Sequence, residues 1–244
     1  MIVGVVPVRG ADSVSTAWRV LDMPLVDAVE LRLDYLGSVD DMLIVIREAG
    51  EAGLLEKSIV TVRAWWEGGS TRVSDEERIG VLKAALDHGA MLVDLEVLTF
   101  ERVERNKLKD LDWGRVLLSL HAPLERFSEG LAEYLLARAS SLGAWGAKLA
   151  IGSEKPSNRL ASVLYWFLGE ARRRGLRAAA MPYGCCKGLR LALYAAGSEI
   201  LYVCARRDAG STAEGQPCLE DDGDRSLVEA ASRLRALVVR ELEG

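Results

Sequence analysis

The sequence predicts an α/β fold, a (β/α)8 TIM barrel formed by a single domain over residues 1–244, from three observations. Strand-like apolar runs recur roughly every 28 residues, helical stretches separate them, and charged residues stand near the end of one run after another. Strands alternating with helices along a whole chain are typical of a parallel sheet with crossover helices. Eight such units close into a barrel, and an open doubly wound sheet is the alternative.

The individual elements follow from apolar runs and capping signals. Strands are predicted to begin near residues 2, 26, 58, 91, 115, 145, 177 and 199. Helices are predicted over residues 15–22, 39–52, 74–88, 100–109, 124–142, 155–174, 187–196 and 225–241. Ser74 precedes two glutamates and is a candidate helix N-cap. Gly89, Gly143 and Gly175 follow predicted helix ends, where a left-handed residue is common.

Composition limits the classes of function. The 244 residues are 50% hydrophobic and carry a formal net charge of −5, which argues against nucleic acid as a main partner. The basic run at residues 172–174 is better explained as a solvated helix end. No apolar stretch reaches the ~20 residues that span a bilayer, and no export signal stands at the N-terminus. We therefore expect a cytoplasmic protein without a membrane partner.

Polar and charged residues interrupt five consecutive predicted strands near their C-terminal ends. Strands covered on both faces should be almost wholly apolar, and charged residues are seldom buried without partners. The exceptions are Glu30, Arg32 and Asp34 in VELRLDYL, Arg63 in TVRAWWEGG, Asp94 and Glu96 in VDLEV, Ser119 and His121 in SLHAP, and Lys148 in GAKLAIG. In a barrel these ends form the active-site face, so the side chains are expected to share one pocket that suits an anionic ligand.

Lys148 and His121 are the candidate reactive groups. A buried amine that loses its proton can attack a ketone to form an imine, although Lys148 could instead merely pair with Glu96 or Asp94. An imidazole near an imine is a natural base for the adjacent carbon, although His121 could instead be a hydrogen-bonded residue at a strand end. Glu96 is expected to accept a hydrogen bond from the second ring nitrogen of His121 and fix its tautomer. His88 is expected only to end a helix.

The four cysteines follow the last two predicted strands: Cys185, Cys186, Cys204 and Cys218. No Cys-x-x-Cys pair is present, so a zinc site is not expected. Two alternatives are open. The cysteines are small apolar fillers, or one disulfide joins the last two βα loops.

The six motifs VELRLDYL, TVRAWWEGG, VDLEV, SLHAP, GAKLAIG and STAEGQ, in this order and spacing, resemble those of the type I 3-dehydroquinate dehydratases of the shikimate pathway. The resemblance runs from about residue 2 to residue 216. It implies a (β/α)8 barrel, usually a homodimer, that converts 3-dehydroquinate to 3-dehydroshikimate in aromatic amino acid biosynthesis without a metal or organic cofactor.

The resemblance also implies residue roles. Lys148 would be the Schiff-base lysine, His121 the general acid/base and Glu96 the glutamate that orients it. The implied substrate-binding residues are Glu30, Arg32, Arg63, Arg190, Thr212 and Gln216, of which Thr212 and Gln216 would lie on a loop that closes over the site. Pro7 and Arg9 stand in the first strand where the family would place a small hydroxyl residue, so that contact is unassigned.

Two other classes of function are carried as alternatives. One is another Schiff-base barrel enzyme, such as a sugar-phosphate aldolase, which would want a glycine-rich phosphate cradle in the last two loops. The other is a non-catalytic relative that binds the same metabolite. The retention of Lys148, His121 and Glu96 together argues against the second, because binding alone needs neither a nucleophile nor a base.

Overall fold

Eight parallel strands form a nearly closed barrel in the computed structural model, which describes residues 1–209 and 213–243 and side chains through residue 240. The strands are β1 Ile2–Pro7, β2 Ala28–Arg32, β3 Ser58–Thr61, β4 Leu92–Glu96, β5 Val116–Pro123, β6 Gly146–Gly152, β7 Ala178–Tyr183 and β8 Leu201–Val203. Their order in the sheet is β7-β6-β5-β4-β3-β2-β1-β8. Between β7 and β8 the Glu199 amide donates to the Ala178 carbonyl at 2.8 Å. The predicted barrel is confirmed, and every strand begins within two residues of its predicted start.

Helices connect most of the strands on the outside of the barrel. They are α1 Asp12–Leu21, α2 Val39–Glu51, α3 Asp75–Asp87, α4 Glu129–Leu142, α5 Asn158–Arg173, α6 Lys187–Ala195 and α7 Asp222–Glu243. No helix in the described part of the chain is both long enough and apolar enough to cross a membrane.

The helix predicted over residues 100–109 is wrong. The chain forms two 3-10 turns there, Val97–Glu101 and Arg105–Leu108, before β5. The apolar residues Phe100, Val103 and Leu108 stand at positions i, i+3 and i+8, a spacing that also fits one face of an α-helix, so the pattern alone did not exclude a helix. Short separate turns let all three side chains pack against the same core.

The predicted capping signals are confirmed at α3 and at three glycines. The Glu77 amide donates to Ser74 Oγ at 3.2 Å, and the Ser74 amide donates to the Glu77 carboxylate at 2.9 Å, which completes a capping box. Gly89, Gly143 and Gly175 adopt φ angles of +95°, +66° and +68°.

The barrel interior divides into an apolar floor and a polar upper layer. Val3, Ile59, Leu92 and Leu117 belong to the buried cluster inside the barrel, and each is the first or second residue of its strand. Side chains alternate along a strand, so the next inward positions lie closer to the C-terminal ends. The charged residues occupy those positions, and the floor beneath them excludes water from below.

Candidate active site

The strand register places the polar residues of β3 to β6 beside one another. Thr61 pairs with Asp94, Glu96 with Ser119, and Ser119 with Lys148. Of these residues, Lys148 lines a cavity of about 440 Å³ at the C-terminal end of the barrel. The lining of the cavity includes Glu30, Arg32, Arg63, Glu67, His121, Lys148, Tyr202, Arg190 and Gln216. The expectation of one shared pocket is therefore met in part, because Asp34, Asp94, Glu96 and Ser119 are not among the lining residues.

Lys148 lies inside this cavity, and its amine contacts the carboxylate of Asp94. Its Nζ is 2.7 Å from Asp94 Oδ2, 3.9 Å from Glu30 Oε1 and 4.4 Å from the centre of the Tyr202 ring. The side chain is 4% exposed, so the amine is shielded from bulk water yet open to the cavity. Lys148 thus pairs with Asp94, as one sequence alternative held, and it also faces the space where a ketone would bind.

Asp94 is the central anion of the polar layer of the barrel. It accepts hydrogen bonds from Ser119 Oγ at 2.6 Å and from both Nη atoms of Arg63 at 3.3 Å, in addition to Lys148. Burial alone would raise its pKa, but the charges of Arg63 and Lys148 outweigh burial and hold the pKa of Asp94 well below its usual range. Asp94 therefore stays ionised and keeps a negative charge beside the Lys148 amine.

Arg63 links the acidic residues to the histidine. Its Nη1 lies 3.0 Å from Glu96 Oε1 and 2.9 Å from His121 Nδ1, and the guanidinium also donates to Asp94 and Ser119. Burial would lower the pKa of Arg63, but Asp94, Glu96 and the other nearby carboxylates raise it above the ordinary value. The guanidinium is a permanent charge that is already fully engaged by protein groups.

His121 is held by Glu67, a residue that sequence reasoning missed. Both the backbone nitrogen and the ring Nδ1 of His121 lie 2.9 Å from Glu67 Oε2. With Nδ1 engaged by Glu67 and Arg63, Nε2 is the ring nitrogen left for a substrate. Burial, then the positive charges of Arg63 and Lys148, lowers the pKa of His121 well below its ordinary value. The imidazole is therefore neutral near pH 7 and can accept a proton.

The carboxyl group of Glu67 has a raised pKa, as a group that exchanges protons near neutral pH would. Burial, and then the negative charge of Glu96, raises the pKa of Glu67 to about 8. Its Oε1 is buried and has no hydrogen-bond partner among the described residues. A signal was present in the sequence, because two glycines follow Glu67. Gly68 has a φ of +90°, and a Cβ at Gly69 would overlap the Arg63 carbonyl, so this turn folds tightly back over the site.

Glu96 does not make the predicted contact with His121, and this expectation needs correction. Its carboxylate pairs with Arg78 of α3 and accepts from Arg63 Nη1 and the Ala64 amide, each at 3.0 Å. The buried guanidinium of Arg78 draws the Glu96 side chain toward the helix layer. Glu67 takes the position beside the imidazole that the sequence had assigned to Glu96.

The predicted binding residues differ in how far protein groups already satisfy them. Glu30 accepts from Thr61 Oγ1 at 2.8 Å, and Arg32 is paired with Asp34 through two hydrogen bonds of 2.8 and 2.9 Å. Arg190, by contrast, is 4% exposed and its Nε has no partner among the described residues. Burial lowers the pKa of Arg190 to about 10.

The last two predicted binding residues come from the segment that follows β8 in the sequence. Gln216 lines the cavity, and Thr212 lies outside the described residues. Arg9 is not among the cavity-lining residues, and its guanidinium lies 5.7 Å from the centre of the Tyr35 ring.

The cysteines follow the sequence alternatives only in part. Cys185 and Cys186 are joined to each other in the loop after β7, so no disulfide joins the last two βα loops in the described part of the chain. Cys204 and Cys218 are free, with their Sγ atoms 2.7 Å apart, and Cys204 is buried as the filler alternative held. The sequence could not give the bond between Cys185 and Cys186, because a bond between neighbouring residues depends on the local backbone, in which Cys186 has a φ of +72°.

Comparison with known proteins gives a consistent family. The family model for "Type I 3-dehydroquinase" matches residues 5–163. The 3-dehydroquinate dehydratase of Methanococcus maripaludis strain S2 is 37% identical over 84 residues, which cover 34% of this chain and 36% of the relative. The Pyrococcus abyssi 3-dehydroquinate dehydratase is 28% identical over 158 residues, covering 64% and 71%. The first such relatives are thus matched over less than half of their own length.

Solved structures agree on the architecture. The 3-dehydroquinate dehydratase of Geobacillus kaustophilus HTA426 superposes with a TM-score of 0.72 at 24% identity, covering 95% of this chain and 91% of that one. A type I 3-dehydroquinate dehydratase of Clostridium difficile with covalently modified comenic acid gives 0.72 at 17% identity, covering 94% and 91%. At these identities the likeness shows a shared fold.

Proposed function

Because the chain belongs to the type I 3-dehydroquinase family, we propose that it is a 3-dehydroquinate dehydratase, a hydro-lyase that works through a Schiff base on Lys148. The observation that carries the proposal is the pairing of a buried amine with a neutral imidazole in one cavity. Lys148 and the Glu67–His121 pair both line it, and 3-dehydroquinate offers a ketone for the first and an acidic C–H for the second.

The first step is attack of the Lys148 amine on the C3 ketone. The ammonium must first lose a proton, and Asp94 is not a free acceptor because Arg63 and the Lys148 ammonium itself hold it ionised. His121 is a neutral base that lines the same cavity, so it takes this proton. Protonated His121 then gives the proton to the hydroxyl of the adduct, which leaves as water, so that an iminium forms and His121 is neutral again. Asp94, 2.7 Å from Nζ in the free enzyme, supplies the matching negative charge.

The second step is removal of the C2 proton by His121. The iminium withdraws electrons and makes this proton acidic, and the electron pair of the C–H bond becomes the enamine. Once Glu67 is ionised, it accepts from Nδ1–H in place of the hydrogen bond that Arg63 Nη1 donates to an unprotonated Nδ1, and this tautomer leaves the lone pair on Nε2 for the substrate. The enamine then expels the C1 hydroxyl, protonated His121 donates to the leaving oxygen, and water hydrolyses the product iminium to free Lys148.

Substrate orientation is assigned to Arg190 and its neighbours. Arg63 and Arg32 are already engaged by carboxylates of the protein, whereas Arg190 is a buried cation with an unsatisfied Nε in the cavity wall. A carboxylate bound there gains a charge-assisted hydrogen bond that fixes both position and direction. Glu30, Arg32 and Gln216 line the cavity as candidates for the substrate hydroxyls, and Thr212 is proposed with them from its position in the sequence.

The proposal is tested by trapping the imine. The protein is incubated with 3-dehydroquinate and borohydride, and the intact mass is measured before and after peptide mapping. The proposal expects a mass gain equal to one reduced ligand, located on Lys148, and the appearance of the conjugated enone of the product in an untrapped sample. Lys148→Ala should show neither. Equal trapping in Lys148→Ala, or product formation without any adduct in the parent, would overturn the mechanism.

A homodimer, a cytoplasmic location and a place in the shikimate pathway belong to the same proposal. The dimer rests on the family resemblance, and light scattering coupled to size-exclusion chromatography tests it directly. A particle mass of twice 26.6 kDa supports the dimer, and a mass of 26.6 kDa rejects it.

A further inference from the structure

Two cysteines lie at the base of the loop that joins β8 to α7. Cys204 directly follows β8, and Cys218 comes 14 residues later, just before α7. The two segments pair as a short parallel bridge: the Cys204 amide donates to the Pro217 carbonyl and the Leu219 amide donates to the Cys204 carbonyl, each at 2.9 Å. Paired segments lie about 4.7–4.9 Å apart, within the Cα separation of roughly 4.4–6.8 Å that a disulfide requires.

The two sulfurs are in direct contact. Their separation of 2.7 Å is shorter than the ~3.5–4.0 Å of an ordinary contact between carbon atoms, although sulfur is the larger atom. Cys204 is buried and Cys218 is partly exposed, so one sulfur is sheltered and the other can be reached from solvent. The Cys218 amide also donates to Asp224 Oδ2 at 2.8 Å, which holds this residue in place. Neither sulfur has a role in the proposed reaction.

We propose that Cys204 and Cys218 form a reversible disulfide that closes the base of the β8–α7 loop. The oxidant is a small-molecule disulfide. The Cys218 thiolate attacks one sulfur of the oxidant and releases its first thiolate, and the Cys204 thiolate then attacks Cys218 in the mixed disulfide and releases the second. Two cysteines lose two electrons, the small disulfide gains them, and the two cysteine protons end on the two released thiols.

Burial supports this order of attack. Burial, and then the adjacent Cys218 sulfur, raises the pKa of the Cys204 thiol, so Cys204 is the poorer first nucleophile. Cys218 is the accessible partner and meets the external disulfide first.

The bond would join the two ends of a segment that borders the catalytic cavity. Glu214 and Gln216 line that cavity, and both lie between the two cysteines in the sequence. A covalent tie at the base removes the open conformers in which the ends separate. Arg206 and Arg207, which lie just after Cys204 and are partly or fully exposed, should then become harder for a protease to reach.

Peptide mapping tests the bond itself. The full chain is reduced, desalted, incubated with glutathione disulfide, blocked with N-ethylmaleimide and digested with trypsin without reductant. We expect residues 191–206, which contain Cys204, to be linked to residues 208–225, which contain Cys218. Recovery of both peptides blocked by N-ethylmaleimide, or linkage of either to residues 178–187, which contain Cys185 and Cys186, would overturn the proposal.

Native proteolysis tests the effect on the loop. Trypsin should cut at Arg206 and Arg207 at least about tenfold more slowly in the oxidised than in the reduced protein, because cleavage follows the population of the opened segment. Cys218→Ser should be cut at the reduced rate with or without glutathione disulfide, whereas Cys185→Ser/Cys186→Ser should keep the redox response. Equal rates in oxidised and reduced parent protein would reject the closing role. Neither readout involves lyase activity, so this proposal and the proposed reaction fail or stand separately.

Discussion

One oxygen of the Glu67 carboxylate lies 2.9 Å from both the backbone nitrogen and the ring Nδ1 of His121. The two contacts hold the ring of His121 relative to its own backbone, so Glu67 sets the orientation of the imidazole. The raised pKa of Glu67 places its ionisation near pH 8.

Glu67→Gln is expected to lower kcat about 10- to 100-fold, a range typical of removing a group that orients a functional histidine. Glutamine keeps the size of the side chain but cannot ionise. The KM should change little, and the limb of the kcat–pH profile near pH 8 should vanish, because that limb reports the ionisation of Glu67. Steady-state kinetics across pH 5–10 measure both effects.

Glu96→Gln is the matched control. Glu96 contacts Arg78, Arg63 and the Ala64 amide, so its substitution should reduce stability. The limb that reports Glu67 should remain but move to lower pH, because the negative charge of Glu96 helps to raise the pKa of Glu67. The opposite outcome, a lost limb for Glu96→Gln and an unchanged one for Glu67→Gln, would return the orienting role to Glu96.

Glu67 should also make stability depend on pH. Its folded-state pKa is about 8 against an ordinary value of 4.5, so between these values the folded protein retains a proton that the unfolded chain has released. The folded state binds more protons, and the free energy of unfolding therefore falls as pH rises through this window. One group contributes at most about 1.4 kcal/mol per pH unit. Urea unfolding of Glu67→Gln from pH 5 to 8 should show a flatter decline than the parent, and Glu125→Gln, at an exposed position, should leave the slope as it is.

The sequence was informative where chemistry lies on strands and weaker where it lies on turns. Lys148 and His121 could be placed in the cavity because each lies near the C-terminal end of a predicted strand, which is the active-site face of a barrel of this kind. Glu67 could not, since it lies in a turn whose path depends on Gly68 and on the close approach of Gly69 to Arg63. Glu96 was misassigned because its partner Arg78 comes from a helix, and no strand pattern reveals a contact across layers.

His121→Ala is expected to separate imine formation from turnover. Lys148 and Asp94 remain in place in this variant, so borohydride should still trap a ligand on Lys148, but more slowly, because water must then take the Lys148 proton that His121 accepts in the parent. Loss of the proton-transfer group should lower kcat by about 10²- to 10⁴-fold. Intact mass and enone absorbance measured on the same sample decide the question. Parent-like turnover would remove His121 from the mechanism, and failure to trap would show that the imidazole is needed before the imine forms.

Arg190→Ala is expected to act mainly on substrate binding. The variant removes a buried cation whose Nε has no partner among the described residues, so the loss falls on the complex with an anion. A hydrogen bond to a charged group contributes roughly 1.5–3 kcal/mol, which corresponds to a KM increase of about 10- to 100-fold. Arg126→Ala removes the same charge at an exposed site outside the cavity lining and should leave KM nearly unchanged. Equal effects of the two variants would mean that general attraction, rather than a specific contact, binds the substrate.

Arg78 is predicted to stabilise the fold beneath the site rather than to take part in the chemistry. Its guanidinium is 1% exposed, donates to the Val62 carbonyl at 2.8 Å and to Asp75 at 2.8 Å, and pairs with buried Glu96. Arg78→Met leaves the Glu96 charge without this partner, and breaking a buried pair costs about 3–5 kcal/mol. The free energy of unfolding from urea denaturation should fall by that amount.

Arg102 provides the comparison for Arg78, because both arginines pair with Asp75 and Arg102 does so at the protein surface. Its Nε lies 2.8 Å from Asp75 Oδ2, but its side chain is 52% exposed. Exposed pairs contribute about 0–1 kcal/mol, so Arg102→Met should lower the free energy of unfolding by at most about 1 kcal/mol. An equal loss of stability in the two variants would show that the buried pair of Arg78 and Glu96 stabilises the fold no more than the exposed pair does. If Arg78→Met were stable but inactive, the link from α3 through Glu96 to Arg63 would belong to the catalytic machinery.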